Sequence, residues 1–152
     1  MDRATAPVLL PAPRRGNFVL LRADALWLLL PQHEVGAVEY LDAPPEPTAA
    51  TGLHKQSHAG STRRLAALSS RMHVLAHFPT DRVLLTALAG TPIAWCWSEV
   101  KVLIDVSLQP RSLPGVLHTP HMPVHEYVEH DDGIAFLCSA QRLCAFALRT
   151  DG

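Results

Sequence analysis

The sequence predicts an all-β domain, β-rich with one or two short helices, and two observations carry that expectation. Short apolar runs follow one another closely along most of the chain, and proline and glycine punctuate them, with 13 Pro and 8 Gly in 152 residues. Short strands at this spacing point to a barrel or a sandwich and exclude a doubly wound α/β sheet. Hydrophobic residues make up 48% and charged residues 18%, enough apolar mass for one core.

Residues 1–16 read as an extended leader, because Pro7, Pro11 and Pro13 oppose both helix and sheet. Residues 17–149 form the expected single domain. Phe18 to Arg22 and Leu26 to Leu30 flank Ala23-Asp24-Ala25, the pattern of a hairpin, and Pro31 stops the second run from continuing as a central strand. Val35 to Leu41 adds another apolar piece. From Asp42 to Thr62 the composition changes: Pro44, Pro45, Pro47, Gly52 and Gly60 among small polar residues predict a flexible loop at 42–62. Leu65, Leu68, Met72 and Leu75 then recur at helical spacing behind a capping Thr62. They predict a helix passing into a short strand near Met72 to Phe78, ended by Pro79.

Arg82 to Leu88 is a strand, residues 89–92 a turn, and Ile93 to Trp97 the returning strand. Glu99 to Val106 alternates polar and apolar over its first part, as a half-buried strand does. Pro110 and Pro114 fence a loop that runs to about Pro123. Tyr127 to His130, the turn Asp131-Asp132-Gly133 and Ile134 to Leu137 make the best-signalled hairpin, and Leu143 to Leu148 closes the chain as a short helix or strand.

Charge excludes several functions. Thirteen Lys or Arg stand against fourteen Asp or Glu, a net −1, which is no electrostatic footprint for nucleic acid or an anionic membrane. The N-terminus lacks a signal-peptide core, and the strongest apolar run, Ala25 to Leu30, is far too short to insert in a membrane, so a cytoplasmic location is expected. Cys96, Cys138 and Cys144 are an odd set without CxxC spacing and read as buried free thiols.

The histidine-rich stretch offers metal-ligand chemistry: His118, His121, His125 and His130 interleave with Glu126, Glu129 and Asp131. Pro120 and Pro123 deny the first three a shared helical face, so the spacing argues against a specific site. His33-Glu34 and the pair His73 and His77 lack a third ligand nearby. No GxSxG elbow accompanies any serine, each cysteine lies in apolar company, and Gly60 to Arg64 reads as a cap with solvated charge, not a phosphate loop. No catalytic residue and no cofactor are expected. Trp95, Trp97 and Ile93 share a strand face, which serves either core packing or an aromatic anchor at an interface.

The order of these pieces resembles the CheW-type chemotaxis coupling proteins. Phe18 to Leu30, Leu30-Pro31 and Val35 to Tyr40 are similar to that family's first strands; Arg82 to Leu103 to its central strand, glycine turn and following strands; Leu108 to Pro114 to its proline-ended loop; and Tyr127 to Leu143 to its closing stretch. The family's mid-chain Arg-Gly turn, which helps receptor docking, has no counterpart, since Arg71 has no glycine beside it. The resemblance implies two small intertwined five-stranded SH3-like barrels. It implies a non-catalytic adaptor that couples a histidine kinase, through its regulatory domain, to a chemoreceptor or a type IV pilus signalling array. A reading from another class is a small metal-binding protein or metal-dependent enzyme using His118, His121 and His125 in the His118 to His130 region. For an adaptor, the alternating stretch Val35, Gly36, Val38, Glu39 and Tyr40 is the candidate protein-binding strand, with Gly36 admitting a partner's backbone. An ordinary core strand with a polar outer face is the competing reading of those residues.

Overall fold

A computed structural model describes residues 12–41, 43–48, 50, 52–58, 60–77, 79–114, 123–131 and 133–149. The strands are β1 (Arg14–Ala23), β2 (Leu26–Pro31), β3 (Val35–Tyr40), β4 (Glu46–Pro47), β5 (His54–His58), β6 (Ser61–Ala66), β7 (Leu84–Leu88), β8 (Ile93–Trp97), β9 (Glu99–Leu108), β10 (Arg111–Ser112), β11 (Glu126–His130) and β12 (Gly133–Leu137). One helix, α1 (Ala140–Arg149), follows them, and a single 3-10 turn (Gln32–Glu34) joins β2 to β3.

The strands form two sheets. The first runs β10-β11-β12-β2-β1-β9 and the second β3-β7-β8-β6-β5-β4. Each therefore has five strands of five residues or more and one two-residue strand at an edge, close to the two five-stranded units expected. The middle of the chain builds the second sheet, while the two ends of the chain share the first. Each sheet contains one parallel pair, β12 with β2 and β6 with β8, and is otherwise antiparallel.

Alternation along the strands explains why the apolar runs are continuous. Leu28 and Leu30 enter a core shared by both sheets, while Leu29 between them enters a smaller core with Phe18, Leu20 and Val128. In the second sheet, Ile93, Trp95 and Trp97 face the shared core, and Ala94 and Cys96 face a third cluster with Leu65 and Leu85. A strand buried on both faces has no polar face to alternate with its apolar one. The helix closes the shared core with Ala140, Leu143 and Ala147, three residues on one helical stripe.

The predicted hairpins are present. Ala23 pairs with Leu26 around a turn in which Asp24 takes φ 57, a left-handed conformation that aspartate tolerates. His130 pairs with Gly133, and Asp131 takes φ 44, so Gly133 opens β12 and lies in the strand. Pro31 is the last residue of β2 and pairs with Phe18. The ambiguous C-terminal piece is a helix.

Three expectations differ from the structure. Residues 14–16, assigned to the leader, already belong to β1, with Arg14 opposite Leu108; the leader's first eleven residues lie outside the described ones. The segment read as a flexible loop, 42–62, contains β4, β5 and the start of β6. Its ladder pairs polar with polar, Lys55 with Arg64 and Gln56 with Arg63, so it carries no apolar rhythm to reveal a strand. The helix expected after Thr62 is also absent among the described residues. Leu65, Ala66, Ala67 and Leu68 are buried in succession, which a strand between two cores achieves and an amphipathic helical stripe does not. Beyond them Leu68 and Val74 form an isolated bridge around a turn with Met72 at φ 63.

Candidate protein-docking site

The strand proposed for partner binding lies at an edge of the second sheet, where among the described residues β3 pairs only with β7. Glu39 sits opposite Leu85 and Tyr40 opposite Leu84, and the register shifts between Val35 and Val38. An edge strand leaves a row of backbone donors and acceptors open to another chain. Tyr40 is 75% exposed and Val38 46%, so the strand presents apolar surface beside those groups. Beyond Tyr40, the backbone N–H of Leu41 donates to the Val83 carbonyl at 2.8 Å. A cleft of about 270 Å³ continues from there, lined by Leu41, Pro44, Pro45, Pro79 and Val83. An exposed aromatic next to a proline-walled apolar cleft on an open strand suits an extended polypeptide, with main-chain pairing for affinity and the cleft for one apolar side chain.

Three of the five candidate residues are engaged within this chain. A Cβ on Gly36 would stand 3.1 Å from the Ala87 carbonyl oxygen, so glycine here permits the close approach of this chain's own β7. Glu39 is tied down: Arg63 Nη1 and Nη2 each donate to its carboxylate at 3.3 Å, and Arg63 Nε and Nη2 also donate to Gln56 Oε1. Val35 packs against the shared core. The exposed apolar surface of this edge is therefore Val38, Tyr40 and the adjoining cleft.

The other candidates disperse. His118 and His121 lie outside the described residues, His125 is exposed, and His130 Nε2 stands 3.2 Å from Asp131 at the tip of the last hairpin. Among the described residues no group of three or more His, Cys, Asp or Glu side chains converges as metal ligands. His33 faces its neighbour Glu34 at 3.9 Å, and the helical face that would have joined His73 to His77 does not form. Gly60 to Arg64 is a hairpin turn and strand. Trp95 and Trp97 are fully buried, their rings stacked at 6.1 Å, so they are core and not an interface anchor. Burial pushes the thiols of Cys96 and Cys138 up to about 12, which leaves no thiolate for nucleophilic work; Cys144 is half-buried.

A concavity of about 610 Å³ lies where α1 starts and is walled by Arg14, Phe18, Glu34, Glu126 and Arg142. Arg14 pairs with Glu126 at 2.9 Å, and Glu34 Oε1 accepts the Ala140 N–H at 2.7 Å. These contacts absorb the groove's two carboxylates in holding the fold. Sequence reasoning missed both this carboxylate cap and the apolar cleft, whose walls come from segments almost forty residues apart. The doublet Pro44-Pro45, read only as a loop signal, was its one visible trace. Among the described residues no helix is long and apolar enough to cross a membrane.

No protein-family model matches the chain, and no curated protein sequence matches it. Among solved structures, the scaffolding protein TtCheW from Thermoanaerobacter tengcongensis is similar with a TM-score of 0.63, over 86% of this chain and 92% of that one, at 14% sequence identity. The fold is CheW-like, as the order of strands implied.

Proposed function

We propose that the chain is a non-catalytic adaptor of bacterial chemotaxis-type or type IV pilus-associated two-component signalling, acting in the cytoplasm and coupling a histidine kinase to a receptor. The observation that carries this reading is the CheW-like fold over nearly the whole domain, shared with a structure described as a scaffolding protein. The open edge of β3 supports it, because it gives the fold an exposed surface for a protein partner. The kinase's regulatory domain is the partner assigned to Val38, Tyr40 and the adjoining cleft.

The test is a titration of the protein with the regulatory domain of a histidine kinase encoded beside it. Tyr40→Ala and Val38→Lys should each weaken binding about 10-fold or more, since exposed aromatic anchors carry much of an interface's energy. Both should leave the melting temperature nearly unchanged. Glu39→Lys is a poor probe because it sets a second cation against Arg63. Equal binding by wild type and both variants would remove this surface, and no binding by the wild type would remove the kinase-adaptor reading.

A further inference from the structure

Charge is divided unevenly along the chain. Four of its thirteen Lys or Arg, and none of its fourteen Asp or Glu, fall between Pro47 and Thr80, which leaves nine cations against fourteen anions elsewhere. This acid-free stretch builds β5 and β6, whose antiparallel register sets Lys55 opposite Arg64 and Ser57 opposite Thr62. Directly opposed residues project to the same side of a sheet, and residues two apart on a strand share a side, so these four make up one face of the hairpin. All four are exposed.

The two adjacent arginines divide between the faces. Arg63 turns to the other one, where its guanidinium donates to Glu39 and Gln56. Arg64 has no ion pair among the described residues. Lys55 stands 3.9 Å from Glu46 of the two-residue β4, a pair of exposed side chains and of small worth. Like charges directly opposite each other across a ladder destabilise it. Among the described residues no contact of Arg64 offsets that, so the pair is a cost to the hairpin that an anion from outside would remove.

We propose that this face of the β5–β6 hairpin binds an extended acidic segment of a partner protein. The Cβ atoms of opposed residues lie about 5 Å apart, so one carboxylate can meet both Lys55 and Arg64. The next opposed pair, Ser57 with Thr62, lies about 7 Å along the strands and offers two hydroxyl donors. An extended segment repeats its side chains on one side at that same interval, so acidic residues two apart fit both pairs. β4 covers the β5 edge, and recognition is therefore through side chains. The face is small and the rest of the chain is net negative, which suits a few carboxylates. A membrane surface or a nucleic acid would bring many negative charges against those anions as well. The hairpin lies at the opposite end of the second sheet from β3, so this contact is separate from the one proposed for the kinase domain.

An NMR titration of the isotope-labelled full chain with a short peptide of alternating glutamate and serine tests this. Amide signals of Lys55, Ser57, Thr62 and Arg64 should shift, and affinity should fall about 10-fold between about 0.05 and 0.5 M salt. Lys55→Gln and Arg64→Gln should each weaken binding about 5-fold or more. Arg64→Glu should lose the acidic peptide and gain one of alternating lysine and serine. Arg64→Gln should melt no lower than wild type, because it relieves the like-charge pair. No binding by the wild type at low salt, equal binding of a peptide with glutamine in place of glutamate, shifts centred away from the hairpin, or variants that bind like wild type would each overturn the inference. Tighter binding to phosphatidylserine vesicles or to oligothymidylate would overturn it in favour of a membrane or a nucleic acid. An Arg64→Gln chain that melts lower than wild type would overturn it by returning the arginine to the fold.

Discussion

Arg82 Nη2 lies 2.9 Å from the Asp24 carboxylate, and this contact ties the first hairpin's turn in one sheet to the segment entering β7 in the other. The arginine side chain has no solvent exposure, whereas Asp24 is about half exposed. Its Nη1 donates to the Leu68 carbonyl at 2.6 Å, and Nη2 meets Asp24 as an ion pair without the alignment of a hydrogen bond. A guanidinium this deep is tolerable only because a carbonyl and a carboxylate meet it.

Removing one partner should therefore cost more than removing both. Asp24→Asn, which keeps a residue tolerant of positive φ, should destabilise by about 1–2 kcal/mol, the partial exposure of the aspartate holding the cost below that of a fully buried pair. Arg82→Met should cost about 3 kcal/mol. The double variant should be more stable than the sum of the two losses implies, measured as a double-mutant cycle in urea. Strict additivity would show that the contact carries no coupling.

Thr86 and Trp97 form the buried polar contact of the second sheet, with Trp97 Nε1 donating to Thr86 Oγ1 at 2.9 Å and both residues fully buried. Thr86→Val keeps the shape and strands the indole N–H, which should cost about 1–3 kcal/mol. The neighbouring Trp95 Nε1 has no hydrogen-bond partner among the described residues, so Trp95→Phe loses packing but no hydrogen bond. Equilibrium unfolding of Thr86→Val, followed by tryptophan fluorescence, checks the expected cost.

The N-terminus of α1 is capped from two directions. Ser139 Oγ accepts the Arg142 N–H at 3.1 Å, and Glu34, more than a hundred residues earlier, accepts the Ala140 N–H at 2.7 Å. Glu34→Ala should lose about 1–2 kcal/mol, and Ser139→Ala about 1 kcal/mol. Glu34→Gln should retain part of the effect, because the amide oxygen still accepts but the charge facing the helix dipole is gone. Thermal melts of the three variants against wild type give this order or refute it.

His54 sets a pH dependence. Burial pushes its pKa below the ordinary 6.5, His77 pushes it further the same way, and a hydrogen bond with the Gly52 backbone opposes them. The folded protein thus resists protonation that the unfolded chain accepts, so the unfolded state binds more protons below 6.5. Stability contributed by neutral His54 is complete above 6.5 and is lost as pH falls from there through the lowered folded value. Urea midpoints measured between about pH 8 and pH 5 should fall on acidification, and His54→Gln should flatten the fall. An unchanged slope in that variant would place the dependence elsewhere.

What the sequence by itself determined was the outline: an all-β chain, the hairpins at 18–30, 82–97 and 127–137, and the succession of strands that carried the CheW-like resemblance. These were legible because apolar runs bounded by proline, glycine and aspartate are local signals, and both partners of each hairpin are neighbours in sequence. The hairpin of β5 and β6 was not legible, because the pairs nearest its turn are polar, Lys55 with Arg64, Gln56 with Arg63 and Ser57 with Thr62, and its buried residues come only at the far end. The leucine rhythm at 65–75 misled for the opposite reason, as two-sided burial of Leu65 to Leu68 filled positions that an amphipathic helix also uses. Only the tertiary structure decided that Trp95 and Trp97 are core, that Glu39 belongs to Arg63, that Glu34 caps a distant helix and that Val38 and Tyr40 stand open. Each of those depends on which residue, far away in the chain, lies within a few ångströms, and short-range pattern carries no record of that distance.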